Sequence, residues 1–204
     1  MNNVIDNFEK FNEFMSFDSP DEFYFCQVIR RGKDSNLTSA DNYHVKSYFV
    51  KSHKQFGLIK QEIINMCTFH GARGYIHLNK RSFKKCAFRT LKLISEDLLS
   101  DNFEAVKRAY TSVCGSFPAD NNKKWLIDID APNPEKHLEL LDLINNYQPV
   151  GRKEILNYKT KSGEHQLVKP FDLQSFRNDG GEEILKSLDA TIFKDGMSLL
   201  YCNL

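Results

Sequence analysis

The chain has 204 residues, with 28 Lys and Arg against 27 Asp and Glu. Sixteen Phe, eight Tyr and one Trp supply ample apolar surface, which excludes a wholly disordered chain. No apolar run approaches the ~18 residues that span a bilayer, and the acidic start MNNVIDNFEKFNEF is unlike a secretory signal. No membrane partner and a cytoplasmic location are therefore expected.

In chain order, residues 4–16 put Val4, Phe8, Phe11 and Met15 on one helical face. Residues 22–30 (EFYFCQVIR) and 43–50 (YHVKSYFV) read as strands around a polar loop at 31–42. An amphipathic helix over 54–68 is punctuated by Gly71 and Gly74, and a strand starts at Gly74. A helical region from about 82 to 114 is expected to break near Ser100–Asn102. After a loop from Ser116 to Asn122, KKWLIDID (123–130) is a strand, and Pro134 opens a helix over 134–147. Strands at 153–160 and 164–169 meet at a Ser162-Gly163 turn. A short helix over 182–188 precedes an expected hairpin, 189–194 with 198–203, around Asp195-Gly196.

The charge is unevenly spread. Residues 28–92 hold fourteen basic and three acidic residues, a net of +11, while 1–27 and 93–204 are each −5. Such a segment, interleaved with aromatics, suits phosphate binding, although solvated outer faces give the same pattern. The odd count of five Cys, without a CxxC pair, argues for reduced and mostly buried thiols. Cys67, His70, His77 and Cys86 match no familiar zinc spacing and are read as structural.

Three short pieces carry chemistry. Asp128 and Asp130 end an apolar strand, and alternation points both carboxylates the same way. Paired acids raise each other's pKa unless a cation lies between them, which suits Mg²⁺ or Mn²⁺; the bland alternative is a strand end capping its turn. Next comes Lys161-Ser162-Gly163-Glu164-His165-Gln166-Leu167-Val168-Lys169, a Gly turn with His165 and Lys169 on one strand face. Asp189 then opens another strand that ends at Lys194.

Together these pieces resemble the archaeo-eukaryotic primase superfamily, the primase-polymerases, in the form of a small phage- or plasmid-type core. The resemblance rests on an apolar strand with two acids, a Ser/Gly-x-His element and a further acid opening a strand, in that order. Here Gly163 occupies the usual Ser position, with Ser162 one residue earlier. Ala72-Arg73-Gly74-Tyr75-Ile76, with Asn79 and Arg81, is similar to a segment of small phage-type relatives.

The resemblance implies an α+β fold. An N-terminal α/β module (1–115), carrying the basic segment 28–92, would pack on an RRM-like catalytic module (116–204) with a mostly antiparallel sheet and the active site in the cleft. It implies a template-dependent nucleotidyltransferase, a DNA primase or primase-polymerase core. Asp128, Asp130 and Asp189 would be the catalytic metal ligands for Mg²⁺ or Mn²⁺. Ser162, Gly163, His165, Lys169 and Lys194 would bind the incoming NTP or dNTP. Arg73, Arg81, Lys84 and Lys85 would hold a single-stranded DNA template or primer. A separate helicase or accessory replication protein would be the partner, in a bacterial host cytoplasm if the chain is phage-encoded. The alternatives are a metal-dependent nuclease using the same acids and a non-catalytic module, viral in origin, that binds nucleotide or nucleic acid.

Overall fold

The computed structural model describes residues 4–32, 42–117 and 122–203. Most of the loop expected over 31–42 and residues 118–121 of the loop from Ser116 lie outside the described residues. The architecture is mixed α+β with antiparallel sheets. The chain divides into two compact units, Met1–Asn122 with Leu199–Leu204, and Lys123–Ser198.

The first unit contains β1 (Ile5–Asp6), α1 (Phe8–Phe14), β2 (Glu22–Arg30), β3 (Tyr43–Val50), α2 (His53–His70), β4 (Arg73–His77) and β5 (Arg81–Ser82). These are followed by α3 (Phe83–Leu99), α4 (Phe103–Val106) and α5 (Ala109–Ser116), so the long helical region does break near Ser100–Asn102. The helix expected over 4–16 is shorter. Ile5 pairs as a strand with Cys202, and the Asp6 carboxylate accepts from the Phe8 N–H at 3.0 Å, starting the helix there.

β2 is covered on both faces. Phe23 and Phe25 pack with Cys86, Val113 and Cys114 of α3 and α5, while Tyr24 on the other face meets Phe14 and Phe17. That double burial explains its nearly unbroken apolar run. The helix ends follow capping chemistry. Ser52 accepts from the Gln55 N–H at the start of α2, and Gly71 closes it at φ 56°, ψ 47°. Ser82 accepts from the Lys85 N–H at the start of α3.

The second unit contains β6 (Trp125–Ile129), α6 (Pro134–Asn145), β7 (Glu154–Lys159), β8 (Glu164–Val168), α7 (Leu173–Phe176), α8 (Glu182–Ser187) and β9 (Ala190–Phe193). A kinked segment, Arg177–Gly181, joins α7 to α8. Asn133 caps α6 and Pro134 sits in its first turn. The sheet order is β7-β8-β6-β9, with every described pairing antiparallel. Trp125, Ile127 and Ile129 of β6 join Val168, Leu140, Ile144 and Leu185 in one core against α6 and α8. Strand alternation therefore turns Leu126 and Asp128 to the opposite sheet face.

The last strand, β10 (Met197–Cys202), corrects the expected closing hairpin. It lies between β1 and β4 in the first sheet, whose order is β1-β10-β4-β2-β3 with β5 on β2, whereas β9 pairs with β6. Burial supplies the reason. Ser198 to Cys202 are all buried, as a central strand requires, while β9 alternates between half-buried and exposed, as an edge strand does.

Candidate active site

Asp128 heads a polar row that crosses all four strands of the second sheet. Tyr158 on β7 faces His165 on β8, His165 faces Asp128 on β6, and Asp128 faces Thr191 on β9. His165 Nε2 lies 3.1 Å from Asp128 Oδ1. His165 Nδ1 lies 2.5 Å from Ser198 Oγ, and the Tyr158 hydroxyl also meets Ser198 Oγ. With a neutral imidazole the chain has one consistent direction. The phenol donates to the serine, the serine to Nδ1, and Nε2–H to the carboxylate. Burial pushes the Tyr158 phenol up, so it holds its proton as the donor at the buried end.

The row has a wet end and a dry end. The Asp128 side chain is 36% exposed and that of His165 only 10%. A Ser-His-Asp line invites comparison with a nucleophilic triad, but Ser198 is 0% exposed. No substrate carbonyl reaches such a hydroxyl, so the serine orients the ring and is not a nucleophile.

Asp130 and Asp189 sit side by side at the end of the same sheet. The Asp130 N–H donates to the Asp189 carbonyl at 3.2 Å, and the next rung runs from Ala131 to Leu188 at 3.0 Å. Asp130 shares its strand face with Asp128 by alternation and is exposed. Asp189 is exposed and turns the chain into β9 at φ 45°, in the left-handed region that Asp tolerates. The sheet thus brings all three acids of the sequence analysis to one end. Among the described residues, no three or more His, Cys, Asp or Glu side chains are grouped so as to hold a metal ion, the three acids included.

The nucleotide-binding candidates separate. Ser162 is exposed at the tip of the β7–β8 turn. Gly163 is buried, and a Cβ on it would lie 2.0 Å from the Ile129 carbonyl oxygen. Its missing side chain therefore admits the backbone of β6, which is a correction to its reading as a phosphate cradle. Lys169 and Lys194 are also corrected. Val168 and Phe193 pair with Trp125 and Leu126, so both lysines lie at the Trp125 end of the sheet, about 10 Å or more along the strands from Asp128. Lys194 is also on the helix side, its ammonium 5.5 Å from the centre of the Trp125 ring. Neither belongs with the three acids.

In the first unit, Lys84 and Lys85 are exposed on α3, on the side away from buried Cys86 and Thr90. Arg73 is buried on β4. Arg81 is corrected: it is fully buried. Its Nε donates to the Cys114 carbonyl at 2.6 Å, Nη1 to the Asn79 carbonyl at 2.6 Å and Nη2 to His77 Nδ1 at 3.0 Å. It is a brace between β5 and the end of α5, not a phosphate contact. His77 gives its other nitrogen to Gln27 Oε1 at 3.1 Å, and burial with the Arg81 charge takes its pKa down to about 3. All five Cys are buried and outside any disulfide, Cys67 on the buried face of α2 and Cys86 on the buried face of α3.

Sequence reasoning missed Tyr158 and Ser198. Only strand alternation hinted at Tyr158, and Ser198 becomes relevant through the course of β10. Compared with family models, curated proteins and solved structures, the chain matches none.

Proposed function

We propose that the chain is the core of a template-dependent nucleotidyltransferase of the primase-polymerase type. The observation that carries this reading is the gathering of Asp128, Asp130 and Asp189 at one end of one sheet, with His165 on Asp128. The β6-α6-β7-β8-α8-β9 succession with sheet order β7-β8-β6-β9 supports an RRM-like catalytic module.

The donor chemistry, rather than a formed metal cluster, is what supports Mg²⁺ or Mn²⁺ here. Carboxylate oxygens are the ligands such ions take, and one or two carboxylates suffice when substrate phosphates and waters complete the shell. Asp128 and Asp130 would hold the ion, with Asp189 beside them. When bound, the ion neutralises triphosphate charge and lowers the pKa of the attacking hydroxyl. The reaction joins a 3′-oxygen to the α-phosphorus of an NTP or dNTP and releases pyrophosphate.

The chain's own residues supply position and charge. His165 fixes the Asp128 carboxylate, and the Ser198–Tyr158 end fixes the imidazole tautomer. Exposed Lys84 and Lys85 hold phosphates of a single-stranded DNA template or primer without reading sequence. A separate helicase or accessory replication protein would deliver that template.

A thermal-shift experiment tests the acids. Mn²⁺ with a nucleoside triphosphate should raise Tm by mass action. Asp128→Asn with Asp130→Asn should abolish the rise and leave the apo Tm within about 2 °C, since both are partly or fully exposed. A rise that survives the double substitution overturns the assignment.

A further inference from the structure

At the other end of the second sheet lies a concavity of about 300 Å³, formed by Trp125, Phe171, Leu173, Gln174, Arg177 and Lys194. The volume is at the small end of the range that holds metabolite-sized ligands. Its floor is aromatic, Trp125 and Phe171 meeting at 5.3 Å between ring centres. Its rim carries two cations, Lys194 and Arg177, against one carboxylate, Asp172. Lys194 stands 5.5 Å from the Trp125 ring centre, and among the described residues no carboxylate pairs with it. Arg177 uses Nε on Glu182 at 2.8 Å and keeps its terminal nitrogens for another partner.

Asp172 also lines the concavity, but its carboxylate is committed to its own turn. Oδ1 accepts from the N–H groups of Gln174 and Ser175, and Oδ2 from the Ser175 hydroxyl at 2.7 Å. The donors left over are an ammonium, a guanidinium and the indole N–H, which makes no hydrogen bond among the described residues. A site with spare donors and an apolar, aromatic floor suits an anion attached to a planar ring. Asp128 and Asp130 lie on the opposite face and at the opposite end of β6, so the two sites are independent.

We propose that this concavity is a second binding site, for a phosphate monoester carrying an aromatic ring, with a nucleoside monophosphate as the fitting class. The ring lies against Trp125, and Lys194 and Arg177 hold the phosphate. The site needs no metal and no residue of the acid cluster.

Trp125 is the chain's only tryptophan, so its fluorescence, excited at 295 nm, reports the site directly. AMP in EDTA should quench it saturably, with half-saturation below about 1 mM. The half-saturation concentration should be unchanged in Asp128→Asn/Asp130→Asn and at least tenfold higher in Lys194→Ala/Arg177→Ala, both substituted residues being exposed. Calorimetric titration of the same samples should agree. Adenosine binding as tightly as AMP would overturn the phosphate assignment, and inorganic phosphate binding as tightly would overturn the ring assignment. Absence of saturable binding, or quenching that needs metal and the acids, would overturn the site itself. The nucleotidyltransferase reading is untouched by any of these outcomes.

Discussion

Gly163→Ala should be among the most damaging single-methyl additions in the chain. The new Cβ would stand 2.0 Å from the Ile129 oxygen, 3.0 Å from its carbonyl carbon and 3.1 Å from Asp130 Cα. All three are backbone atoms of β6 or its exit, so no side chain can rotate away. Relief requires β8 and β6 to part at the Ile129–Glu164 pair. Losing that rung costs about 1 kcal/mol, and displacing packed strand costs about 2 kcal/mol more. A loss of about 3 kcal/mol lowers Tm by about 6–12 °C at this chain length. Urea and thermal unfolding read the change. Gly57→Ala is the matched control, because it lies inside α2 with nothing within 4 Å of its Cβ. It should stabilise by about 0.5–1 kcal/mol. A Gly163→Ala protein as stable as the parent would refute the close approach of the β7–β8 turn to β6, and with it the described surroundings of Asp130.

Three further outcomes follow from named contacts. Arg81→Met should cost at least about 3 kcal/mol, because it strands buried carbonyls of Cys114 and Asn79; Arg81→Lys should not restore the loss, since one ammonium cannot span three acceptors in a fixed fork. His77 is neutral when folded and titrates near 6.5 when unfolded. Its contribution is therefore whole above pH 6.5 and declines as pH falls toward about 3, by up to about 1.4 kcal/mol per pH unit. Chemical unfolding of His77→Gln between pH 7 and 5 should show a shallower acid loss than the parent; parallel slopes would contradict its buried, neutral state. Lys84→Ala/Lys85→Ala should weaken single-stranded DNA binding equally across sequences and flatten the log–log salt slope by about 0.7 per lysine, whereas an unchanged slope would remove α3 from the interface.

The parts legible in the sequence are those set by local periodicity and capping. WLIDI reads as a strand because apolar residues flank Asp128, and α6 announces itself through Pro134, while its Asn133 cap is seen only in the structure. Asp130 reads as the end of one apolar strand and Asp189 as the opening of another, and only the family resemblance implies that they come together. The course of β10 was not legible. Asp195-Gly196 suits a hairpin, and whether the next strand turns back or crosses to another sheet depends on long-range pairing that no local pattern encodes. The same gap hid Ser198 and misassigned Lys194, since strand register decides which end of a sheet a side chain serves. Arg81 misled for another reason. A charged residue in a basic segment reads as surface, and only the carbonyls of Cys114 and Asn79 make its burial affordable.

An extension assay tests the central claim most directly. Primed and unprimed single-stranded DNA templates are incubated with Mg²⁺ or Mn²⁺ and labelled NTPs or dNTPs, beside the Asp128→Ala/Asp130→Ala protein. Metal-dependent elongated products, absent with the double variant, are the predicted result. Shortened templates would replace the polymerase reading with a nuclease, and intact templates with no product would contradict catalysis by this chain and leave a binding module.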